Sequence, residues 1–484
     1  MLSSLETRTL RNIYFIGISQ LVVLFLTLLT VTVLTRILTP EDFGIVSIGM
    51  VFVALFVSIQ DFGIAPAVIQ RDARVEESIA VGLTLRWTLA LLLFLVMVGI
   101  SSAVSDFYGN PAITLVLIVL SGSLFIQPIA FSSFVLLNRK LAFSKIAVST
   151  VLQCVTMSAV SIAMAFVGFS YWSIVIGSLS GSVAYVVVLK HYERSAYKPK
   201  IDKALMKELM GFGQHLLITT LMGFVIFNVD QLVVGKVLGV AILGVFFVAV
   251  RFGRTLGEQI SGTVNRVLFP TMARVKDSIE HLKIGYTQSL RMIAIVTIPL
   301  SLGISALAPV FVEVVLGEDF EASAVPISIL SFQGLLNALI TPAANVLISI
   351  GKPKYMSMQA TVQATLMVIA VYPVALYYGI NGVCLLTTLL SLGVFIYFLM
   401  IFARMFRLSF KEIAAPLAPP LLSGFLTFVV LVLLVVSSRT SLTLLVGLSL
   451  LGAALYFFTL HLLSRGRDVR DMISLVNRSF GRGQ

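Results

Sequence analysis

An all-α polytopic membrane protein with about fourteen transmembrane helices is the fold class the sequence predicts. Three observations predict it. Of 484 residues 58% are hydrophobic and only 12% charged, with a mean hydropathy of +1.04, where soluble domains carry roughly 25% charge. Fourteen apolar windows of spanning length follow one another, and the basic residues between them concentrate on alternate connections. Short motifs also recur at an offset of 200 to 214 residues, dividing the helices into two six-helix lobes with two C-terminal helices left over.

A spanning helix needs about 20 mostly apolar residues. The first dozen residues, MLSSLETRTLRN, carry Arg8 and Arg11. The apolar run behind them is too long for the h-region of a signal peptide and lacks a small-residue cleavage site, so it reads as helix one, centred near residue 23. Windows centred near 56, 95, 124, 156 and 180 complete the first six helices. Helices seven to twelve centre near 221, 245, 300, 338, 367 and 390, and the last two near 426 and 452. The lobes are thus expected over 1–200 and 201–405, with 406–484 holding helices thirteen and fourteen and a tail.

Of 34 Lys and Arg, 31 belong to the N-terminal segment and every second connection after it, in stretches such as NRKLAFSK, Lys190 to Lys207, Arg251 to Arg291 and GKPK. Only Arg36, Lys236 and Arg439 fall on the other side. Cytoplasmic loops collect Lys and Arg for topological reasons. Both termini are therefore expected in the cytoplasm, at the inner cell membrane, and the net charge of +12 calls for no nucleic acid. A miscounted helix would scramble the alternation from that point on, so its persistence supports an even number of spans.

RILTPEDFG at 36–44 pairs with KVLGVAILG at 236–244. QPIAFSSFVLLNRK pairs with TPAANVLISIGKPK, aligning Pro128 with Pro342 and Lys140 with Lys354, and GFSYW pairs with GINGV. Six helices, an even number, separate the members of each pair, so the halves insert the same way up about a pseudo-two-fold along the membrane normal. Duplicated halves in a membrane protein point to a transporter with its site between them.

Two segments add a resemblance. The run NVDQLVVGKVLGVAILGVFFVAVRFGRTLGEQISGTVNRVLFPTMARVKD (228–277) resembles the Wzx-like oligosaccharide-lipid flippases, polysaccharide transporters of the MOP flippase superfamily. LTRILTPEDFGIVSIGMVFVALFVSIQDFGIAPAVIQR (34–71) is similar to the same family's N-terminal signature. The resemblance covers most of the first twelve helices and is nearest to the branch handling exopolysaccharide and teichuronic-type polymers. It implies a V-shaped pair of lobes around a cavity opening alternately to each side. Through that cavity a polyprenyl-diphosphate-linked oligosaccharide would pass to the outer leaflet for exopolysaccharide or O-antigen-type synthesis. The implied partners are that glycan lipid, the bilayer and a polysaccharide polymerase.

An ionisable residue near the bilayer centre costs about 2.5 to 3.5 kcal/mol on insertion scales, so those retained usually face a cavity or a partner. In helix eight Arg251, Arg254 and Glu258 share one face, and Arg254 and Glu258 are spaced to pair. The two arginines are either a helix end snorkelling to headgroups or a bidentate contact for substrate phosphate, Arg251 first. Asp61 in SIQDFGIAPA and Arg86 in LTLRWTL, near the ends of helices two and three, are plausible neighbours, either as a structural ion pair or at the substrate. Asp230, with Asn228 before it and Lys236 after, is open to three readings: an interfacial cap, an ion pair with Lys236, or a carboxylate that binds a coupling H+ or Na+. Arg36 and its repeat-mate Lys236 are placed to flank the outer mouth as a cationic pair or to snorkel. His215 is expected to open helix seven at the interface, with proton shuttling as the rival role.

Pro66, Pro128, Pro299, Pro342 and Pro373 are expected to kink helices. Residues 261–288 interleave apolar and basic positions at helical spacing, as an amphipathic inner-surface segment would. Cys154 and Cys384, far apart in apolar runs, suggest neither a disulfide framework nor a zinc site. No catalytic triad set, H-E-x-x-H, P-loop or Gly-rich cradle occurs on a cytoplasmic connection. Catalysis, direct ATP use and a resident cofactor are not expected; a coupling H+ or Na+ is the one small species implied. A cation-coupled multidrug exporter of the same superfamily would more typically have twelve helices and an acidic cavity. A peptidoglycan-precursor flippase shares fourteen helices, but its N-terminal signature does not resemble RILTPEDFG.

Overall fold

The computed structural model describes residues 2–259, 262, 279–406, 409, 412, 415–436 and 440–464. Among them thirteen helical segments are long and apolar enough to cross a membrane. One of these, Lys354–Met405, has 52 residues, about 78 Å of helix against a hydrocarbon core of about 30 Å. Gly379 inside it has φ 62° and ψ −157°, which no helix sustains, so the segment divides into two spans and the expected fourteen are present. Side chains such as Phe25, Leu95, Ile369 and Leu433 are exposed along these helices, as a lipid solvent requires.

The chain separates into two compact units, Met1–Phe247 with Ala364–Leu376, and Val248–Gln363 with Tyr377–Gln484. The first unit is built from α1 (Leu2–Thr35), α2 (Pro40–Asp61), α3 (Ile64–Gln70), α4 (Val75–Tyr108), α5 (Ala112–Ser121), α6 (Ser123–Arg139), α7 (Phe143–Phe166), α8 (Trp172–Tyr192), α9 (Lys203–Val237) and the start of α10 (Val240–Phe252).

Helix α2 starts where the sequence TPED supplies a capping box. The Asp42 N–H donates to Thr39 Oγ1 at 3.3 Å, the Thr39 N–H donates to Asp42 Oδ2 at 2.9 Å, and Pro40 fills the first turn. The other Asp42 oxygen accepts from the Tyr171 N–H at 3.1 Å and from the Ser170 hydroxyl, so the same carboxylate ties the α7–α8 turn to α2. Further along, Phe62 and Gly63 both adopt left-handed backbone (φ 41° and 65°) and break the span into α2 and α3. Gly213 of α9 packs there so closely that a Cβ on it would lie 1.9 Å from the Phe62 carbonyl oxygen. Pro66 is the third residue of α3, in a first turn where proline costs no hydrogen bond, so it produces no kink. Pro128, Pro299, Pro342 and Pro373 do lie inside helices.

The second unit holds the end of α10, α11 (Ile279–Phe311), a π turn at Val312–Leu316, a 3-10 turn at Glu318–Ser323, α12 (Ala324–Ser349), most of α13 (Lys354–Met405), α14 (Ala418–Val436) and α15 (Leu442–Leu463). Its core joins Tyr286, Leu290 and Ile298 of α11 to Ala338 and Val346 of α12 and Phe398 and Phe402 of α13. Tyr286 and Phe402 stack at 4.3 Å. The two helices outside the repeat dock on α11: Gly424 lies against Ile298 and Leu302, and the buried Tyr456 donates its hydroxyl to the Ile295 carbonyl at 3.0 Å. The segment 261–288 expected to lie on the inner surface falls outside the described residues except at 262 and 279–288.

Candidate functional site

Breaking α2 at Phe62 leaves its last residue, Asp61, at the edge of a cavity of about 340 Å³ inside the first unit. Arg86 of α4 enters the same cavity and donates from Nη1 to Asp61 Oδ1 at 2.7 Å. The partnership is uneven, because the Arg86 side chain is 7% exposed and that of Asp61 45%. The guanidinium also lies 5.0 Å from the centre of the Phe131 ring, a cation–π contact that offsets part of its desolvation. Gln60, fully buried, donates its amide to the carbonyls of Arg86 (3.3 Å) and Leu124 (2.8 Å) and so fixes α2 against α4 and α6. Arg86 Nε and Gln60 Oε1 are buried without a hydrogen-bond partner among the described residues. Gln127 of α6 and Tyr185 of α8 complete the polar lining, and Ala65, Pro66, Ile69 and Phe134 are among the apolar walls.

Asp230 is fully buried in α9, seven residues before the end of that helix, and accepts from the Gln231 N–H at 2.9 Å. Gln231 in turn accepts from the Ser47 hydroxyl of α2 at 3.1 Å, which places Gln231 where α9 meets α2. The expected cap and the expected ion pair with Lys236 are therefore both corrected. Lys236 is exposed and donates from Nζ to the Phe107 carbonyl at 2.6 Å, its ammonium 4.3 Å from the Phe107 ring centre. A cation at the C-terminus of α4 is favoured by the helix dipole. Six residues along a helix turn through about 240° net, so positions 230 and 236 leave α9 on different faces. Asn228 donates to the Phe224 carbonyl one turn back at 3.1 Å. Arg36 lies exposed just past the end of α1, and its repeat-mate Lys236 lies in the last turn of α9. His215 falls within α9, which begins at Lys203, rather than at its start; its side chain lies outside the described ones.

In the second unit Arg251 is half-buried and Arg254 buried. The span that carries them, Val240–Gln259, crosses α12 through glycines: a Cβ on Gly257 would stand 2.5 Å from the Gly334 carbonyl, and one on Gly334 2.7 Å from the Arg254 carbonyl. Glu258 accepts from the Asn337 amide of α12 at 2.8 Å. Sequence reasoning placed the charges of this face and missed Asn337, as it missed Gln60, Gln127 and Tyr185. The available signal was an uncharged amide or phenol within an apolar span, and Gln127 stood immediately before the aligned Pro128.

At the helix ends that carry the basic connections, exposed ion pairs hold the loops. Arg74 bonds Glu77 and, at 2.9 Å, Asp202; Arg71 meets Glu208 at 3.0 Å and Lys140 meets Glu193 at 2.6 Å. Asp202 caps α9, and the Leu205 N–H, with Arg74 after it, holds its carboxyl below the usual carboxylate range. Lys283 and Ser409 push Glu412 down to about 2 in the same way.

Broken membrane helices that enclose ion pairs and amides are the construction of membrane transport proteins. The model of the family described as "Polysaccharide biosynthesis protein" matches residues 33–325, and this chain belongs to that family. It is 25% identical over 358 residues to the lipopolysaccharide biosynthesis protein WzxC of Escherichia coli (strain K12), covering 72% of this chain and 71% of WzxC. It is 24% identical over 336 residues to the succinoglycan biosynthesis transport protein ExoT of Rhizobium meliloti (strain 1021), covering 69% and 67%. Among solved structures, the lipid II flippase MurJ in an inward closed conformation shares the fold, with a TM-score of 0.73 at 15% identity over 93% of this chain and 98% of MurJ.

Proposed function

We propose that this chain is a flippase that carries a polyprenyl-diphosphate-linked oligosaccharide from the cytoplasmic to the outer leaflet of the cell membrane, for polysaccharide synthesis. Membership of the polysaccharide biosynthesis family carries this reading, and the names of WzxC and ExoT, together with the fold shared with a lipid II flippase, support it. The lobes 1–200 and 201–405 would alternate in access. Arg251 and Arg254 serve the diphosphate, because guanidinium forks match phosphate oxygens bidentately. Both termini lie in the cytoplasm, the side that receives most of the Lys and Arg. The role is transport without catalysis or a resident cofactor, coupling H+ or Na+ through Asp230, and a polysaccharide polymerase takes the product on the outer face.

Mass spectrometry of lipid extracts from cells depleted of this protein tests the reading. Polyprenyl-diphosphate oligosaccharides should accumulate, inaccessible from outside the cell, and their mass identifies the glycan. Unchanged levels of every such lipid would overturn it.

A further inference from the structure

We infer that the Asp61–Arg86 cavity in the first unit binds a neutral, hydroxyl-bearing sugar ring, and not the phosphate group that an intramembrane arginine first suggests. The assignment of that ring to a lipid-linked glycan rests on the flippase reading; the chemistry of the cavity does not.

The cavity carries one carboxylate and one guanidinium, 2.7 Å apart, so its net charge is zero. A phosphate brought to Arg86 would also face the Asp61 carboxylate, whose Oδ1 lies 2.7 Å from the guanidinium. A cation brought to Asp61 would face Arg86. Charge thus disfavours both kinds of ion, and the polar atoms left open decide what fits. Arg86 Nε is a buried donor without a partner among the described residues. Arg86 spends Nη1 on Asp61 Oδ1, leaving Asp61 Oδ2 as an acceptor. Gln127 and Tyr185 line the cavity and make no side-chain hydrogen bond among the described residues, so each offers both donor and acceptor capacity. A ligand that satisfies such a set has to donate and accept around its rim, as hydroxyl groups do. An alkyl chain would leave all of these groups unpaired and desolvated.

Size and walls agree. A volume of about 340 Å³ has room for a single sugar ring with some of its hydration, and falls at the small end of ligand pockets. Phe131 and Phe134 present apolar surface for the C–H faces of such a ring. Arg86 lies eleven residues into α4 and Tyr185 seven before the end of α8, roughly 10–17 Å from the helix ends at about 1.5 Å per residue. Those ends carry the basic connections around Arg74 and Lys190, so the cavity belongs to the half of the unit that faces them. It also lies at a helix discontinuity, the kind of place where transporters hold substrate.

The test is saturation-transfer NMR on the full-length protein in lipid nanodiscs, prepared with a detergent that has no sugar headgroup. The probes are glucose, galactose, N-acetylglucosamine and inorganic diphosphate. At least one sugar should show saturation transfer to its ring protons, and excess diphosphate should leave that signal unchanged. Gln127→Leu and Tyr185→Phe, which leave the ion pair and its packing in place, should each weaken sugar binding about threefold to tenfold. Absence of transfer to all three sugars, displacement by diphosphate, or wild-type affinity in both variants would each overturn the assignment. Lipid-linked oligosaccharide extracted from cells should compete with the bound monosaccharide; lack of competition overturns the lipid-linked source and assigns the site to free sugar. Failure here, with glycan lipids still accumulating on depletion, removes the cavity assignment alone, whereas sugar binding without accumulation removes the flippase reading alone.

Discussion

At the scale of single residues, a guanidinium near the bilayer centre carries an insertion cost of about 2.5–3.5 kcal/mol, and Arg86, Arg251 and Arg254 lie within spans of this chain. For Arg86 the contacts that offset the cost are Asp61 and Phe131. Arg251 and Arg254, one helical turn apart, put two guanidinium forks close together, and such forks match phosphate oxygens bidentately. Arg251→Ala is therefore expected to lower glycan export about tenfold to a hundredfold, the worth of a charged hydrogen bond, with membrane insertion intact. Arg251→Lys should recover only part of it, because an ammonium lacks the bidentate fork. Immunoblotting of membranes alongside export of labelled glycan measures both, and wild-type export in Arg251→Ala would end the phosphate-contact role. The Asp61–Arg86 neighbourhood was legible because charges stand out in apolar spans and a short connection brings these two together. Gln127 and Tyr185 were not legible, since neither carries a charge and their convergence depends on how α6 and α8 pack.

At the scale of elements, spans were legible from hydropathy alone, because each must supply about 20 apolar residues whatever it packs against. Breaks were less so. The division at Gly379 was recovered as two windows, but that at Phe62–Gly63 was not, because one apolar window runs through both α2 and α3. The repeat, read from RILTPEDFG and KVLGVAILG, has a counterpart in backbone contact. A Cβ on Gly44 would lie 1.9 Å from the Val240 carbonyl oxygen, and one on Gly244 would lie 1.8 Å from that of Pro40. Position 40 meets 244 as 240 meets 44, the reciprocal contact of two-fold-related elements. Small residues at such a crossing let backbones approach closely. Gly44→Ala and Gly244→Ala should each cost at least about 1–3 kcal/mol through overpacking against backbone that has no rotamer to adjust. Thermal unfolding in detergent measures it, with Gly99→Ala, where a Cβ meets nothing within 4 Å, as the control. Equal midpoints for Gly44→Ala and the control would show that the crossing is loose.

At the scale of the whole molecule, the distribution of charge bears on energetics as well as topology. By sequence, 31 of 34 basic residues fall on one side of the alternation, the pattern that sets orientation in membrane proteins, and of these Arg86, Arg251 and Arg254 lie within spans, where a substrate would meet them. That allocation was legible because it obeys a statistical rule along the chain. The burial of Asp230 was not, because it depends on which face of α9 turns inward. A diphosphate moved outward across a membrane with an inside-negative potential gains about 2.3 kcal/mol per charge per 100 mV, so two charges gain about twice that without ATP. In proteoliposomes containing this protein and its glycan lipid, the outward rate should rise when a potassium diffusion potential is imposed negative inside, in the absence of any proton or sodium gradient. If Asp230 also binds a coupling ion, a proton or sodium gradient should change the rate further, and Asp230→Asn should abolish that second response while preserving the first. An outward rate indifferent to potential but driven by an ion gradient, in wild type and Asp230→Asn alike, would show that charge compensation occurs elsewhere and would remove both the electrophoretic drive and the coupling role of Asp230.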